Sequence, residues 1–262
     1  MLLTGKTAII VGIGPGLGEA LALEFAAHGA NLVLASRSGA SVASLAERLV
    51  SGGSRAIGVQ TDITQPDECV RLATAAAEAF GSVDVLVSNA VQYGSSRLIE
   101  STTSDEWRTV FEVNVFGTMN ACRAVIPVMK AQRSGSIVLV NTQLIRQFNP
   151  DLRPQGEYAS SKGALEVAAR HLAGEVGPHG IRVNSIVPGY IWGPRLEGRL
   201  KREATESGRA PSDLYEGIAR RLALRTIPTS EDVALAAIFF ASDLSRAVTG
   251  QSLDVNGGEY MH

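Results

Sequence analysis

The chain has 262 residues, a net charge of −2, 45% hydrophobic and 19% charged residues, and 27 glycines. That length fits one large α/β domain with a sizeable core, and the composition excludes a disordered chain. A near-neutral charge provides no broad surface for a polyanion, so nucleic acid is not an expected partner. The two cysteines, Cys69 and Cys122, lie in apolar helical patterns. They are too few for a disulfide framework or a four-cysteine zinc site and read as buried reduced thiols. No apolar run reaches the ~18 residues of a membrane span. Residues 1–6 lack the apolar core of a signal peptide. The expectation is a soluble cytoplasmic protein with no membrane partner. Glycine this abundant, without a collagen period, marks many tight turns.

Short apolar runs alternate with helical patterns from the start. Residues 6–11 read as a strand, 16–28 as a helix ending at Gly29, and 31–35 as a second strand. Residues 41–50 are helical, 56–60 extended, and 66–80 helical with Gly81 at the end. A fourth strand covers 83–87. Residues 104–130 read as one long helix with Trp107, Phe111, Val115 and Met119 along a core face. Strand 136–140, helix 158–176, strand 182–187, helix 231–241 and strand 252–255 complete the series. Apolar strands alternating with helices predict a doubly wound, Rossmann-type parallel sheet of about seven strands, with helices on both faces, in a single domain spanning 1–262. Residues 190–228 break the rhythm with Pro194, Pro211 and Pro228 and many charges. Placed beyond the carboxyl end of a strand, they are expected to form a substrate lid; the alternative is an ordinary surface loop.

The first strand–helix turn reads Val11-Gly12-Ile13-Gly14-Pro15-Gly16-Leu17-Gly18. Its backbone N–H groups and the following helix dipole would face an anion, and glycine permits the close approach of a pyrophosphate. The spacing is G-x-x-x-G-x-G. No Lys-Ser/Thr follows, so it is not a Walker A loop. This turn resembles that of the short-chain dehydrogenase/reductase family, with Val11 in place of the family's usual threonine. Five further stretches resemble that family in order. Ser88-Asn89-Ala90-Val91 is similar to its Asn-Asn-Ala-Gly motif. Val113-Asn114-Val115-Phe116-Gly117 carries its helical asparagine, and Tyr158-Ala159-Ser160-Ser161-Lys162 its tyrosine–lysine pair. Pro188-Gly189-Tyr190-Ile191 and the closing 254–258 stretch match its last motifs. The resemblance spans essentially the whole chain.

The resemblance implies a nicotinamide dinucleotide cofactor. Gly12, Ile13, Pro15, Gly16, Leu17 and Gly18 would hold its pyrophosphate. Asp62 and Ile63 would lie against the adenine, and Asn89, Ala90 and Val91 would line the cofactor. Pro188, Gly189 and Ile191 would hold the carboxamide. At the end of the second strand an NAD-selective fold usually carries an acidic residue for the ribose 2′-hydroxyl. Here Ser36 and Arg37 stand there. A guanidinium binds a 2′-phosphate in a forked, charge-assisted way, so NADP(H) is expected and NAD(H) is the alternative.

Tyr158 and Lys162 share a helix face at i, i+4. An ammonium near a phenol favours the phenolate, which lets tyrosine exchange protons near neutrality. By resemblance, Tyr158 is the general acid/base and Lys162 also binds the nicotinamide ribose. Asn114 supports a proton-relay water. Thr142 stands where the family has a substrate-orienting serine; it keeps the hydroxyl but stiffens χ1. The span from Thr142 to Tyr158 is longer than usual in the family, with the extra residues within 147–155. Ser136 should lie at the wrong end of its strand. His28, His171 and His179 have no metal-ligand spacing, so no metal is expected. Trp192 either lines the substrate pocket or packs structurally. The arginines of 194–225 either greet an anionic substrate, such as an acyl thioester, or cover a solvated helix pair.

The expected activity is reversible hydride transfer between NADP(H) and a ketone or aldehyde and its alcohol, in a homo-oligomer, tetramer or dimer. The rivals are a catalytically silent dinucleotide sensor, an NAD-dependent alcohol dehydrogenase of the same fold, and an epimerase or dehydratase.

Overall fold

Hydrophobic runs with no polar alternation can only be satisfied by burial on both faces. The strands β1 (Thr7–Val11), β2 (Asn31–Ser36), β4 (Val85–Ser88), β5 (Gly135–Val140) and β6 (Ile181–Pro188) are accordingly buried almost throughout. The edge strands β3 (Arg55–Gln60) and β7 (Ser252–Val255) are partly exposed. The computed structural model describes residues 1–149 and 154–261. It arranges the seven strands in the order β3-β2-β1-β4-β5-β6-β7. Every pairing is parallel. The strand order reverses between β1 and β4, the place where such sheets open a crevice at their carboxyl ends.

Period-two alternation along each strand sends its side chains to two separate cores. On one face Ala8, Ile10, Leu32, Leu34, Val85 and Val87 pack against α1 (Leu17–Ala27), α2 (Gly39–Ser51) and α9 (Ser230–Ala241). On the other, Ile9, Val11, Val33, Leu86, Ile137 and Leu139 pack against α3 (Pro66–Phe80), α5 (Thr118–Gln132) and α6 (Gly156–Val176). Cys69 and Cys122 are free and buried in this second core. Burial raises their thiols to about 11 and about 12, so neither is a nucleophile at neutral pH. Ser136 sits at the amino end of β5 and spends its hydroxyl on the Phe240 carbonyl (2.8 Å).

One expectation changes. Residues 104–130 are not one α-helix. They form α4 (Ser104–Phe111), a π-helical turn (Glu112–Gly117) and then α5. The wider turn shifts the helical phase. Trp107 and Phe111 before it and Val115 and Met119 within and after it are only half-buried, while Val110, Asn114, Gly117, Ala121, Cys122 and Val125 face inward. The 190–228 stretch is not an irregular loop. It holds α7 (Pro194–Ser207) and α8 (Pro211–Ala219), whose first residues are prolines, as helix starts tolerate. These helices share their own apolar cluster, built on Leu196, Leu200, Leu214, Ile218 and Leu222. Within the expected 147–155 insertion, residues 150–153 lie outside the described residues.

Phe25 is fully buried between α1 and the sheet, whereas its neighbour Leu23 is 43% exposed. Phe25→Ala is expected to lower the unfolding free energy by about 3–5 kcal/mol and Leu23→Ala by less than about 1 kcal/mol. Denaturant titration of the two variants checks the difference.

Candidate functional site

The turn between β1 and α1 closes against the end of β4. Gly12 has φ +90°, and a Cβ there would run into the Ala90 backbone. Gly18 is equally confined, because a Cβ would meet the Gly12 carbonyl. Asn89 Nδ2 donates to that carbonyl at 2.8 Å. Gly16, with φ +92°, caps α1 without any side-chain hydrogen bond. The first N–H groups of the helix are thus left for an anion.

This turn forms one end of a cavity of about 920 Å³ along the carboxyl edge of the sheet. Gly12, Ile13, Pro15, Gly16, Leu17 and Gly18 line it from the first turn, and Ser36 and Arg37 from the end of β2. Asp62 and Ile63 enter after β3, and Asn89, Ala90 and Val91 after β4. Pro188, Gly189 and Ile191 line it after β6. Arg37 is exposed and has no ion pair among the described residues.

Thr142, Tyr158 and Lys162 line the same cavity. The helix α6 buries residues at i, i+3/i+4 intervals, which brings Tyr158 and Lys162 inward together. Lys162 Nζ donates to the Val140 carbonyl at 2.7 Å, tying α6 to the end of β5. Burial lowers the Lys162 ammonium to about 8. Burial, and secondly the neighbouring Tyr93, push the Tyr158 phenol above its ordinary value. The Thr142 side chain and the Arg195 guanidinium pull it the other way. The Tyr93 and Tyr158 rings stand 5.1 Å apart.

Asn114 is not among the residues that line the cavity. It is fully buried in the π-helical turn, with both amide atoms engaged. Oδ1 accepts from Gln92 N–H at 2.8 Å, and Nδ2 donates to the Gln92 carbonyl and to Ser161 Oγ, both at 2.9 Å. Ser161 Oγ in turn donates to the Tyr158 carbonyl at 2.7 Å. Asn114 therefore braces the loop after β4 against the first turn of α6.

The motif reading missed several residues. Glu157, fully buried beside Tyr158, accepts from Ser95 N–H at 2.6 Å and from Ser95 Oγ at 2.9 Å. A Cβ at Gly94 would collide with this carboxylate, so Gly94-Ser95 was the available signal. Gln143 Nε2 donates to Glu259 at 3.0 Å, and Glu259 pairs with Arg221 at 3.5 Å. Trp192 stacks edge-on against Tyr215 at 4.8 Å and packs with the α7–α8 cluster. Among the described residues no group of three His, Cys, Asp or Glu side chains converges on a metal position. No helix there is long and apolar enough to cross a membrane.

A doubly wound parallel sheet with a glycine turn at its switch point defines a nucleotide-binding class of fold. The family model described as "Enoyl-(Acyl carrier protein) reductase" matches residues 12–259. Oxidoreductase UcpA of Escherichia coli K12 is 34% identical over 260 residues, covering 98% of this chain and 95% of that protein. An uncharacterized oxidoreductase of Methylorubrum extorquens is 32% identical over 259 residues, covering 98% of both. The crystal structure of gox2181 superposes with a TM-score of 0.87 at 28% identity, over 98% of this chain and 96% of that one. The chain belongs to the short-chain dehydrogenase/reductase family, a family of oxidoreductases that use a nicotinamide dinucleotide.

Lys162 is protonated below about pH 8 in the folded chain and below its ordinary 10.5 when unfolded. Between those values the unfolded state binds the extra proton, so wild-type stability rises with pH. Below the window the buried charge costs stability. The stability of Lys162→Met relative to wild type is expected to fall by about 3 kcal/mol as pH rises through it. Urea titrations of both proteins from pH 7 to 10.5 check the trend.

Proposed function

We propose that this chain is an NADP(H)-dependent oxidoreductase that interconverts a ketone or aldehyde with its alcohol, with Tyr158 as the general acid/base. One observation carries the reading: a buried tyrosine–lysine pair and a threonine hydroxyl open onto the cavity that also holds the glycine turn. The residues fit a dinucleotide. The turn excludes side chains at Gly12 and Gly18, and Gly16 leaves the α1 amides without a side-chain cap.

The cofactor, when bound, supplies or accepts the hydride. In reduction the Thr142 hydroxyl donates a hydrogen bond to the substrate carbonyl oxygen and fixes its direction. Tyr158 donates its phenolic proton to that oxygen as the carbonyl carbon becomes tetrahedral. Burial keeps the phenol protonated at neutral pH, the form an acid catalyst needs. Lys162, held by the Val140 carbonyl, places a cation on the inner side of the site and stabilises the phenolate that remains. In oxidation the same phenolate takes the alcohol proton. α7 forms a lid over the substrate end, since its residues line the cavity, and α8 packs on it in a core of their own. A silent dinucleotide sensor would not require the costly burial of Lys162 beside a tyrosine.

Arg37, at the end of β2 and without a carboxylate partner among the described residues, reads the 2′-phosphate. Ser36, with its hydroxyl in a local turn with Ser38, offers no charge to repel that phosphate.

Tyr158→Phe is expected to lower kcat with a ketone panel by about 10²–10⁴-fold while leaving NADPH affinity unchanged. Wild-type turnover by this variant would defeat the assignment. Arg37→Ala is expected to weaken NADPH about tenfold or more and to leave NADH affinity alone. Fluorescence titration with both cofactors measures this, and a wild type that prefers NADH rejects the 2′-phosphate reading.

A further inference from the structure

We propose that Arg195 and Arg199 of α7 form an anion-binding subsite that selects carbonyl substrates bearing a carboxylate or phosphate close to the reacting carbon. The substrate class rests on the reductase reading above; the subsite itself rests on geometry alone.

Both arginines line the cavity that contains Tyr158 and Thr142. Their i, i+4 spacing places them on one face of α7, one turn apart. Leu196 and Leu200, next to them, are buried in the lid core and fix the rotation of the helix. The Arg195 guanidinium lies over the Tyr93 ring, 3.2 Å from its centroid. Tyr93 in turn packs on Tyr158 at 5.1 Å. One tyrosine ring is thus flanked by the proposed proton donor and by a cation. Arg199 lies 5.3 Å from the Tyr190 ring. The Tyr190 hydroxyl accepts from Arg221 (3.1 Å) and Asn149 (3.3 Å), so it is turned away from an acceptor role toward Arg199.

Charge pairing separates these two arginines from others around the site. Arg221 pairs with Glu259 at 3.5 Å, and Arg146 with Glu166 at 2.7 Å. Arg195 and Arg199 have no carboxylate within ion-pair distance among the described residues, although Glu203 and Glu206 line the cavity from later turns of the same helix. Arg199 Nε is buried with no hydrogen-bond partner. A buried N–H without a partner is costly, and a carboxylate or phosphate satisfies it while pairing bidentately with the guanidinium. Arg195 is linked to Tyr158 through the Tyr93 ring, whereas Arg37 lies at the end of β2. That link favours a substrate anion, and the NADPH measurement below separates it from the cofactor's own phosphates. Because Arg195 and Tyr158 flank the same ring, the anion belongs a few bonds from the carbonyl.

Two matched pairs of probes test this: 4-oxopentanoate with its methyl ester, and dihydroxyacetone phosphate with dihydroxyacetone. The expected result is a wild-type kcat/KM at least tenfold higher for the anion of one pair, and the pair that responds separates carboxylate from phosphate. That ratio should collapse toward one in Arg195→Gln and in Arg199→Gln, with Arg195→Lys keeping part of it. Calorimetric binding of the same probes to the Tyr158→Phe protein supplies a readout independent of turnover. If no ketone is turned over, the reductase reading fails, while anion-selective binding lost in Arg195→Gln still supports the subsite. Equal binding of anion and neutral partner, or a preference unchanged in both glutamine variants, overturns the proposal. A tenfold loss of NADPH affinity in Arg195→Gln also overturns it, because the guanidinium would then belong to the cofactor's phosphates.

Discussion

The site depends on how closely β1 and β4 approach at their carboxyl ends. Gly12 N–H donates to the Ala35 carbonyl at the end of β2 (2.9 Å), and its own carbonyl accepts from Asn89 after β4 (2.8 Å). Three strand ends therefore meet at one residue that has room for no side chain. This contact lies where the strand order reverses, so chains leaving β1 and β4 diverge to opposite faces of the sheet. The crevice between them is the cavity, and α1 enters it amino end first. A cradle for a pyrophosphate follows from the topology once glycine permits the approach.

The reacting end is held by a different device, the obligatory pairing of buried polar groups. Asn114 faces inward because the π-helical turn inserts extra chain before α5, a geometry often found at functional sites. Its amide joins the Gln92 backbone to Ser161, and Ser161 joins the Tyr158 carbonyl. Glu157 makes a second connection, from the first turn of α6 to Ser95. The loop that carries Tyr93 is thus fastened on both sides of its tip to the helix that carries Tyr158. Removing either brace would leave an unpaired buried amide or hydroxyl, at about 1–3 kcal/mol each. The placement of the phenol and of its aromatic neighbour is in this sense one structural unit.

Local patterns were legible and distant partnerships were not. The alternating apolar runs indicate the sheet, its strand boundaries and the glycine turn, because their signal lies within a few adjacent residues. The 104–130 stretch misleads for a definite reason. One wide turn rotates every later residue, so a stripe drawn at constant 3.6-residue spacing through Trp107 and Met119 leaves the core. Pro194 and Pro211 break the alternating pattern in the sequence, yet they occupy first-turn positions, where proline's missing N–H costs nothing. Glu157 with Ser95, and Arg195 with Tyr93, are contacts between elements far apart in the chain. No spacing rule reaches them. A glycine that only a buried carboxylate explains, Gly94, was the nearest available clue.

The stretch that carries α7 and α8 is built as a unit of its own on the sheet. The excursion leaves at Trp192 and returns at Pro228, and the Trp192 N–H to Pro228 carbonyl bond (2.7 Å) closes its base. Between those points α7 and α8 bury their apolar faces against each other in a cluster separate from both sheet cores. The chain after β7 touches this cluster at two glycines: Gly257 accepts from Leu224 N–H at 3.0 Å, and Gly258 packs against Ala223. Stability of the lid thus resides mainly within itself and at this short seam. Arg195 and Arg199 lie on its cavity face, outside both apolar clusters of the sheet. Tyr158 and Lys162, by contrast, are buried on α6, a helix that packs on the second core, where a change of size is felt throughout the packing.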